Sequence, residues 1–372
     1  MVNRIHKDFI IKLRVIIDNN SMEKRLLFFV LALIILAAVL YSNPVITAAP
    51  AENIVERNGS LELYDGKIYH IFFHSLIIEP KKAFSSGMKN GYNNWMTTCE
   101  EFKKILDKLY ENDFILININ ELITYKNGQL IRNNIYLPKG KKPLIISFDD
   151  INYYEYMKGC GFADRLTVKD GKVTTIVKTA SGEKIDWEGD AIPILDSFVE
   201  KHPDFSHNGA KGIVAVTGYQ GVFGYRLKNE QEKAQARLIA QTLKNTGWLI
   251  ANHSYSHSGM FKKGIGLSEF KKDLDKWDKF IASVVGKTNI YISPFGVYFN
   301  ANDAKMKYLK SKGYNIFCPV YKEMSIKIQN NILISERLNI DGLTMLKYPK
   351  RIQKYFFDPS SVVDSSRPRV RI

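Results

Sequence analysis

Two adjacent carboxylates, Asp149 and Asp150, end the apolar run that begins at Lys141, and two histidines, His253 and His257, follow a second apolar run. Two imidazoles and one carboxylate can hold a divalent metal and still leave a coordination position for water, as hydrolytic zinc sites do. Neighbouring residues of a strand point to opposite sides. One aspartate of the pair can therefore hold a metal while the other faces a substrate. On a helix or a tight loop the H-x-x-x-H spacing puts both imidazoles on one face. The pair lacks the Glu of H-E-x-x-H, so a thermolysin-like protease is not indicated. The plain alternatives are a strand-ending turn capped by aspartate and two polar loop histidines. The second is weakened because these are two of only seven His.

The elements that must position these groups alternate along the chain. Ile68 to Ile78 is rich in β-branched and aromatic residues and reads as a buried strand. Thr98 with Glu101 forms a capping box, and Phe102, Ile105, Leu106 and Leu109 repeat at helical spacing behind it. Further strands are expected at Phe114 to Ile123, Lys141 to Asp150, Lys211 to Gly218, Trp248 onward, Asn289 to Gly296 and Tyr314 to Pro319. Helices are expected at Ile192 to Val199, Glu230 to Asn245, Leu267 to Val285 and Asn302 to Lys312. Residues 166–190 alternate around Asp170-Gly171 and Ser181-Gly182 and predict a polar surface β-hairpin within an insertion over about 152–210. Strands alternating with helices argue an α/β domain with mainly parallel strands, and the length suits one (β/α) barrel. The polar groups fall just after strand ends, where barrel enzymes place their sites.

The chain has 372 residues, 45% hydrophobic and 24% charged, which excludes a disordered or low-complexity protein. Cys99, Cys160 and Cys318 form no C-x-x-C pair, which excludes a cysteine-rich zinc module. Lys+Arg exceed Asp+Glu by 53 − 38 = 15, which favours an anionic neighbour. Residues 26–41 carry no charge and, with the apolar and small residues after them, suffice to cross a bilayer. The excess of Lys/Arg in residues 1–25 keeps the N-terminus inside. The expected organisation is a cytoplasmic leader (1–25), a transmembrane signal anchor (26–46), a stalk (47–66), a catalytic domain (67–350) and a basic tail (351–372). That places the domain outside the cell membrane, or makes it secreted if the leader is cleaved. Export and the absence of a dense basic run argue against nucleic acid as a partner.

S-F-D-D at 147–150, N-H-S-Y-S-H-S at 252–258 and S-P-F-G at 293–296 occur in that order, each after a strand. This constellation resembles the NodB-homology polysaccharide deacetylases (carbohydrate esterase family 4) over roughly residues 67–350. The resemblance implies a distorted (β/α)7 TIM-like barrel and hydrolysis of acetyl groups from N-acetylglucosamine units of a wall or exopolysaccharide glycan. It implies Asp149 as general base, Asp150, His253 and His257 as ligands of a divalent metal, and the Phe295 N–H, after Pro294, as oxyanion donor. Zn²⁺ is the expected ion, with Co²⁺, Ni²⁺ or Mn²⁺ as alternatives. The chain departs from the pattern in places: Ile151 follows the aspartates where Gly is usual, Ile292 stands where many members have Arg, and no His follows His257. The branch that deacetylates poly-N-acetylglucosamine has such a turn and takes its general acid from an early strand. That implies His74 here, with His70 as the other candidate. Tyr153 and Tyr154, which closely follow the aspartates, are expected to line the sugar groove, and Pro294 is expected to contact the substrate as well. An esterase or amidase on another wall polymer, and a non-catalytic glycan-binding relative, are the alternative functions.

Overall fold

Short apolar runs too brief to stand alone pair side by side in this chain and are covered by the helices between them. The computed structural model describes residues 60–369, which lie in the unit Gly59–Ile372. The central sheet joins, in parallel, the strands Tyr69–Phe73, Lys142–Phe148, Ile213–Val216, Leu249–Asn252, Ile290–Ile292, Ile316–Cys318 and Ile332–Ser335. The last segment runs on. Leu338–Asn339 pairs with Ile71 and Phe72 of the first strand, on the side away from Lys142–Phe148, and ends the sheet there. Phe114–Leu116 fills the splay beside Lys142–Leu144. The result is a mixed α/β domain with a strongly curled parallel sheet.

Period-two alternation sorts side chains between two layers. Leu144, Ile146 and Phe148 pack outward against the helices Cys99–Glu111, Ala191–Lys201 and Glu230–Asn245. Ile145, Ile213, Ala215, Ala251, Ile290, Ile292, Cys318 and Leu333 fill the concave side. Extending the same parity past the strand ends places Ser147 and Asp149, and likewise His253, on the concave side. The capping box at Thr98 forms as expected: Glu101 N donates to Thr98 Oγ1 at 3.1 Å and Thr98 N to Glu101 Oε2 at 2.8 Å.

Several expectations are corrected. Residues 165–186 form a three-stranded antiparallel sheet, not one polar hairpin. Leu166, Val173 and Val177 on it bury into the main core, so one face of the insertion is structural. The domain also starts before 67: Leu61–Tyr64, placed in the stalk, pairs antiparallel with Ile135–Pro138. It continues past 350, because Arg367 is buried against Glu101. The leader, the anchor and residues 47–59 of the stalk lie outside the described residues, as do 370–372. Among the described residues no helix is long and apolar enough to cross a membrane.

Candidate metal centre and active site

Asp149 ends its strand with ordinary strand parity, and the backbone then turns sharply. Asp150 adopts φ 60°, a left-handed conformation costly for a residue with a Cβ. The turn brings a second carboxylate to the side the first already faces. Ser254 (φ 65°), His257 (φ 45°) and Phe295 (φ 56°) share this conformation. Left-handed residues thus occur in all three motifs.

Asp150, His253 and His257 each offer a ligand atom, all within 4.8 Å of one another. His257 Nε2 lies 3.6 Å from Asp150 Oδ2. Two ligands each about 2.1 Å from a tetrahedral ion sit roughly 3.4 Å apart, so this spacing suits a shared ion better than a direct hydrogen bond. His253 Nδ1 lies 2.9 Å from the Ile292 carbonyl, which can only accept; Nδ1 therefore carries the proton and Nε2 presents its lone pair. Burial holds the His253 imidazole below its ordinary pKa, so it is neutral, as a ligand must be. Burial opposes charge on Asp150, but His257, His253 and His74, with the Tyr154 hydroxyl, hold its carboxyl below the usual value. The donor set fits a divalent cation.

The groups around the ligands fix their orientation. Tyr154 Oη donates to Asp150 Oδ1 at 2.5 Å and contacts Thr217 Oγ1 at 3.1 Å. The loop bearing His257 is pinned by Asp273, whose carboxylate accepts from Tyr255 N (2.8 Å), Ser256 N (2.9 Å) and Ser256 Oγ (2.5 Å). Ser254 Oγ accepts from His257 N at 2.9 Å. The Phe295 ring packs on His257 with centroids 4.4 Å apart. Pro294 is buried beneath this turn, which Gly296 N and Val297 N close by donating to Ser293 O and Pro294 O.

Asp149 is held differently. Arg337, with no exposed surface, grips it with both arms: Nη1 to Oδ1 at 2.8 Å and Nη2 to Oδ2 at 3.0 Å. Arg337 also donates to Ser147 Oγ and stacks on Phe72, 4.2 Å from the ring centre. Burial alone would raise the Asp149 carboxyl, but the guanidinium outweighs it, with His253 and His74 contributing, and holds it down at about 2. His253 Nε2 is 3.9 Å from Asp149 Oδ2. An ionised carboxylate therefore stands beside the three ligands. Its charge is fixed by an arginine that sequence reading overlooked.

The structure separates the two histidine candidates for the acid. His70 is fully buried with both ring nitrogens occupied, by Ser335 Oγ at 2.7 Å and Ser147 Oγ at 3.0 Å, so it is a core histidine. His74 lies four residues on, half-buried, next to Phe72 and close enough to Asp149, Asp150 and Asp341 to act on their carboxyls. Asp341 caps the helix Gly342–Lys347. Burial pushes its carboxyl up, while Asn339, Thr344 and His74 pull it back.

Tyr153 and Tyr154, expected to line the sugar groove, are both buried. Tyr153 is 1% exposed and donates to Asp190 Oδ2 at 2.5 Å, the same carboxylate that takes Leu76 N and Ala191 N. Its left-handed backbone (φ 53°) turns the ring into the core. Tyr154, 4% exposed, spends its hydroxyl on Asp150. Tyr153→Phe should therefore cost about 1–3 kcal/mol of stability by leaving buried Asp190 one donor short, without changing metal binding or any hydrolytic rate of the folded protein. Denaturant unfolding beside a rate assay checks this. A specific rate loss at unchanged stability would return Tyr153 to the site.

No family model matches the chain, and no curated protein does. Solved structures similar to it include the deacetylase domain of BpsB from Bordetella bronchiseptica, at 10% identity and TM-score 0.40, over 74% of this chain and 96% of that one. Another is a family 4 carbohydrate esterase from Streptomyces lividans in complex with acetate, at 21% and 0.22, over 32% and 51%. A third, from Mycobacterium smegmatis, is described as a candidate polysaccharide deacetylase, at 15% and 0.27, over 40% and 44%. The matched part thus spans about half the length of the latter two.

Proposed function

We propose that the chain is a metal-dependent polysaccharide N-deacetylase that removes acetyl groups from N-acetylglucosamine units, its curled sheet being a distorted (β/α)7 barrel. One juxtaposition carries the reading: an ionised, arginine-held Asp149 beside a two-histidine, one-carboxylate ligand set. Asp150, His253 and His257 would hold the cation, Zn²⁺, which when bound acidifies water and polarises the acetyl carbonyl. Asp149 accepts the proton of the attacking water. The Phe295 N–H donates to the oxygen on which negative charge develops. His74, at the end of the first strand, hands a proton to the departing amine. The anchor at 26–46 would tether the domain to the outer face of the cell membrane, beside an acetylated wall or secreted glycan.

A carboxylate at about 2 is a weak base but a permanently ionised one. It suits a water already made acidic better than one in bulk, which is the physical reason to couple it to a cation. Acetate release from N-acetylglucosamine oligomers, with Zn²⁺ and after chelation, tests the function. No acetate from any acetylated glycan by metal-replete protein would reject it.

The acid role of His74 makes a sharper expectation. His74→Gln should slow amide hydrolysis by about 10²-fold or more, because an amine leaves only when protonated. On p-nitrophenyl acetate, whose leaving group needs no proton, the loss should be small. Equal losses on both substrates would remove His74 from that role.

A further inference from the structure

Beside the ligand set, four tyrosines from three segments stand ring to ring. Tyr154 stacks on Tyr156 with centroids 5.5 Å apart and planes at 23°, and meets Tyr219 at 5.6 Å. Tyr92 backs Tyr156 at 6.4 Å and 19°. The two inner rings, Tyr92 and Tyr154, are buried, whereas Tyr156 and Tyr219 remain 44% and 49% exposed. The group is joined to the centre through the bond from Tyr154 to Asp150.

The exposed pair rides on loops that are bolted together. Buried Asn152 donates to the carbonyls of Thr217 and Gly221 and accepts from Thr217 N. Gln220 Oε1 accepts from Glu155 N at 2.8 Å. Arg226 bonds Glu155 Oε1, Gln220 O and Tyr153 O at once. Gly221, at φ 85°, lets the loop close: a Cβ there would meet Tyr225 O at 1.9 Å. Two half-exposed rings on loops held together around buried Asn152 form a pre-organised surface that loses little entropy when covered.

We propose that Tyr156 and Tyr219 are specificity-determining residues that form the stacking face for the sugar ring carrying the acetyl group. This rests on the deacetylase reading of the same centre. A pyranose ring presents an apolar C–H face, and tyrosine offers a flat apolar face with a polar rim to match it. The acetyl group then reaches the Asp150 side of the centre while the ring lies on the tyrosines. Flexible acetylated chains such as acetyl-lysine peptides lack that face.

Binding separates the two claims. The full chain in detergent is titrated calorimetrically with an N-acetylglucosamine tetrasaccharide, as wild type, Tyr219→Ala, Tyr219→Phe and Tyr156→Ala. Acetate release and thermal unfolding are followed on the same samples. The face predicts about tenfold weaker binding for Tyr219→Ala, near-wild-type binding for Tyr219→Phe, and unchanged unfolding. Tyr156→Ala should weaken binding similarly. Equal affinity in wild type and Tyr219→Ala, or no binding by wild type, overturns the face. Acetate release that Tyr219→Ala leaves unaltered overturns the face and keeps the deacetylase. Tyrosine-dependent binding without acetate release keeps the face and rejects the deacetylase.

Discussion

Asp149→Asn is expected to lower turnover by about 10²–10⁴-fold and, separately, to cost about 3–5 kcal/mol of stability. The two losses have different origins. The first is the missing proton acceptor. The second comes from Arg337, left as an unpaired charge with no exposed surface. Arg337→Met should cost a similar amount for the mirror-image reason, since Asp149 then carries a buried charge alone. Combining both changes removes both charges, so the double variant should regain much of the stability while activity stays lost. Urea unfolding and acetate release on the four proteins give the cycle.

The pH dependence has a definite sign. The folded Asp149 carboxyl, at about 2, lies below its ordinary 3.8. Its pairing therefore contributes stability that is present above about pH 4 and is lost as pH falls toward 2. In Arg337→Met the largest opposing charge is gone and burial raises the carboxyl, so the acid limb of the rate profile moves to higher pH and the stability loss on acidification shrinks or reverses. Single variants as stable as wild type would show that the pair is not held as described.

Arg367→Met is expected to cost about 3–5 kcal/mol, although Arg367 lies far beyond the motifs in sequence. Its guanidinium bonds Glu101 through Nε (2.7 Å) and Nη2 (2.5 Å), Asn93 through Nη1, and the Met96 carbonyl through Nη2. Glu101 is at the same time the N3 residue of the capping box. Removing the arginine would leave that carboxylate buried without its counter-ion, and would release the 93–98 turn. The turn matters to the site because Thr97 Oγ1 donates to Ile340 O, next to Asp341, whose carboxyl feels the charge of His74. Unfolding by urea checks the magnitude. A loss below about 1 kcal/mol would mean the C-terminal segment is only draped on the surface.

The strand-helix alternation and the three motif sites were legible because each depends on local pattern. Apolar runs ending in charge marked Asp149, Asp150 and His253, and the Thr98–Glu101 spacing marked the helix start. What was not legible depends on distant pairing. Arg337 sits in Ile332 to Ile340, a run read as no element, although a charge inside an apolar stretch demands a buried partner. Asp273 looks like any acid on an amphipathic helix, and only the fold shows it holding the His257 loop. Tyr153 and Tyr154 were placed in the groove by nearness to the aspartates. The left-handed turns at Asp150 and Tyr153 rotate them inward and leave Tyr156 exposed instead. The basic tail was read from composition, which cannot distinguish a solvated arginine from Arg367 in its buried pair.

The most direct test is the coupling of metal to acetate release in one preparation. The full chain is stripped of metal, titrated with Zn²⁺ by calorimetry, and assayed at each point on N-acetylglucosamine oligomers, beside Asp150→Ala and His257→Ala. One Zn²⁺ per chain, with acetate release rising in proportion and both variants losing the ion and the activity together, is the expected result. Acetate release by metal-free protein, or stoichiometric Zn²⁺ binding that survives both substitutions, would contradict the assignment of the centre.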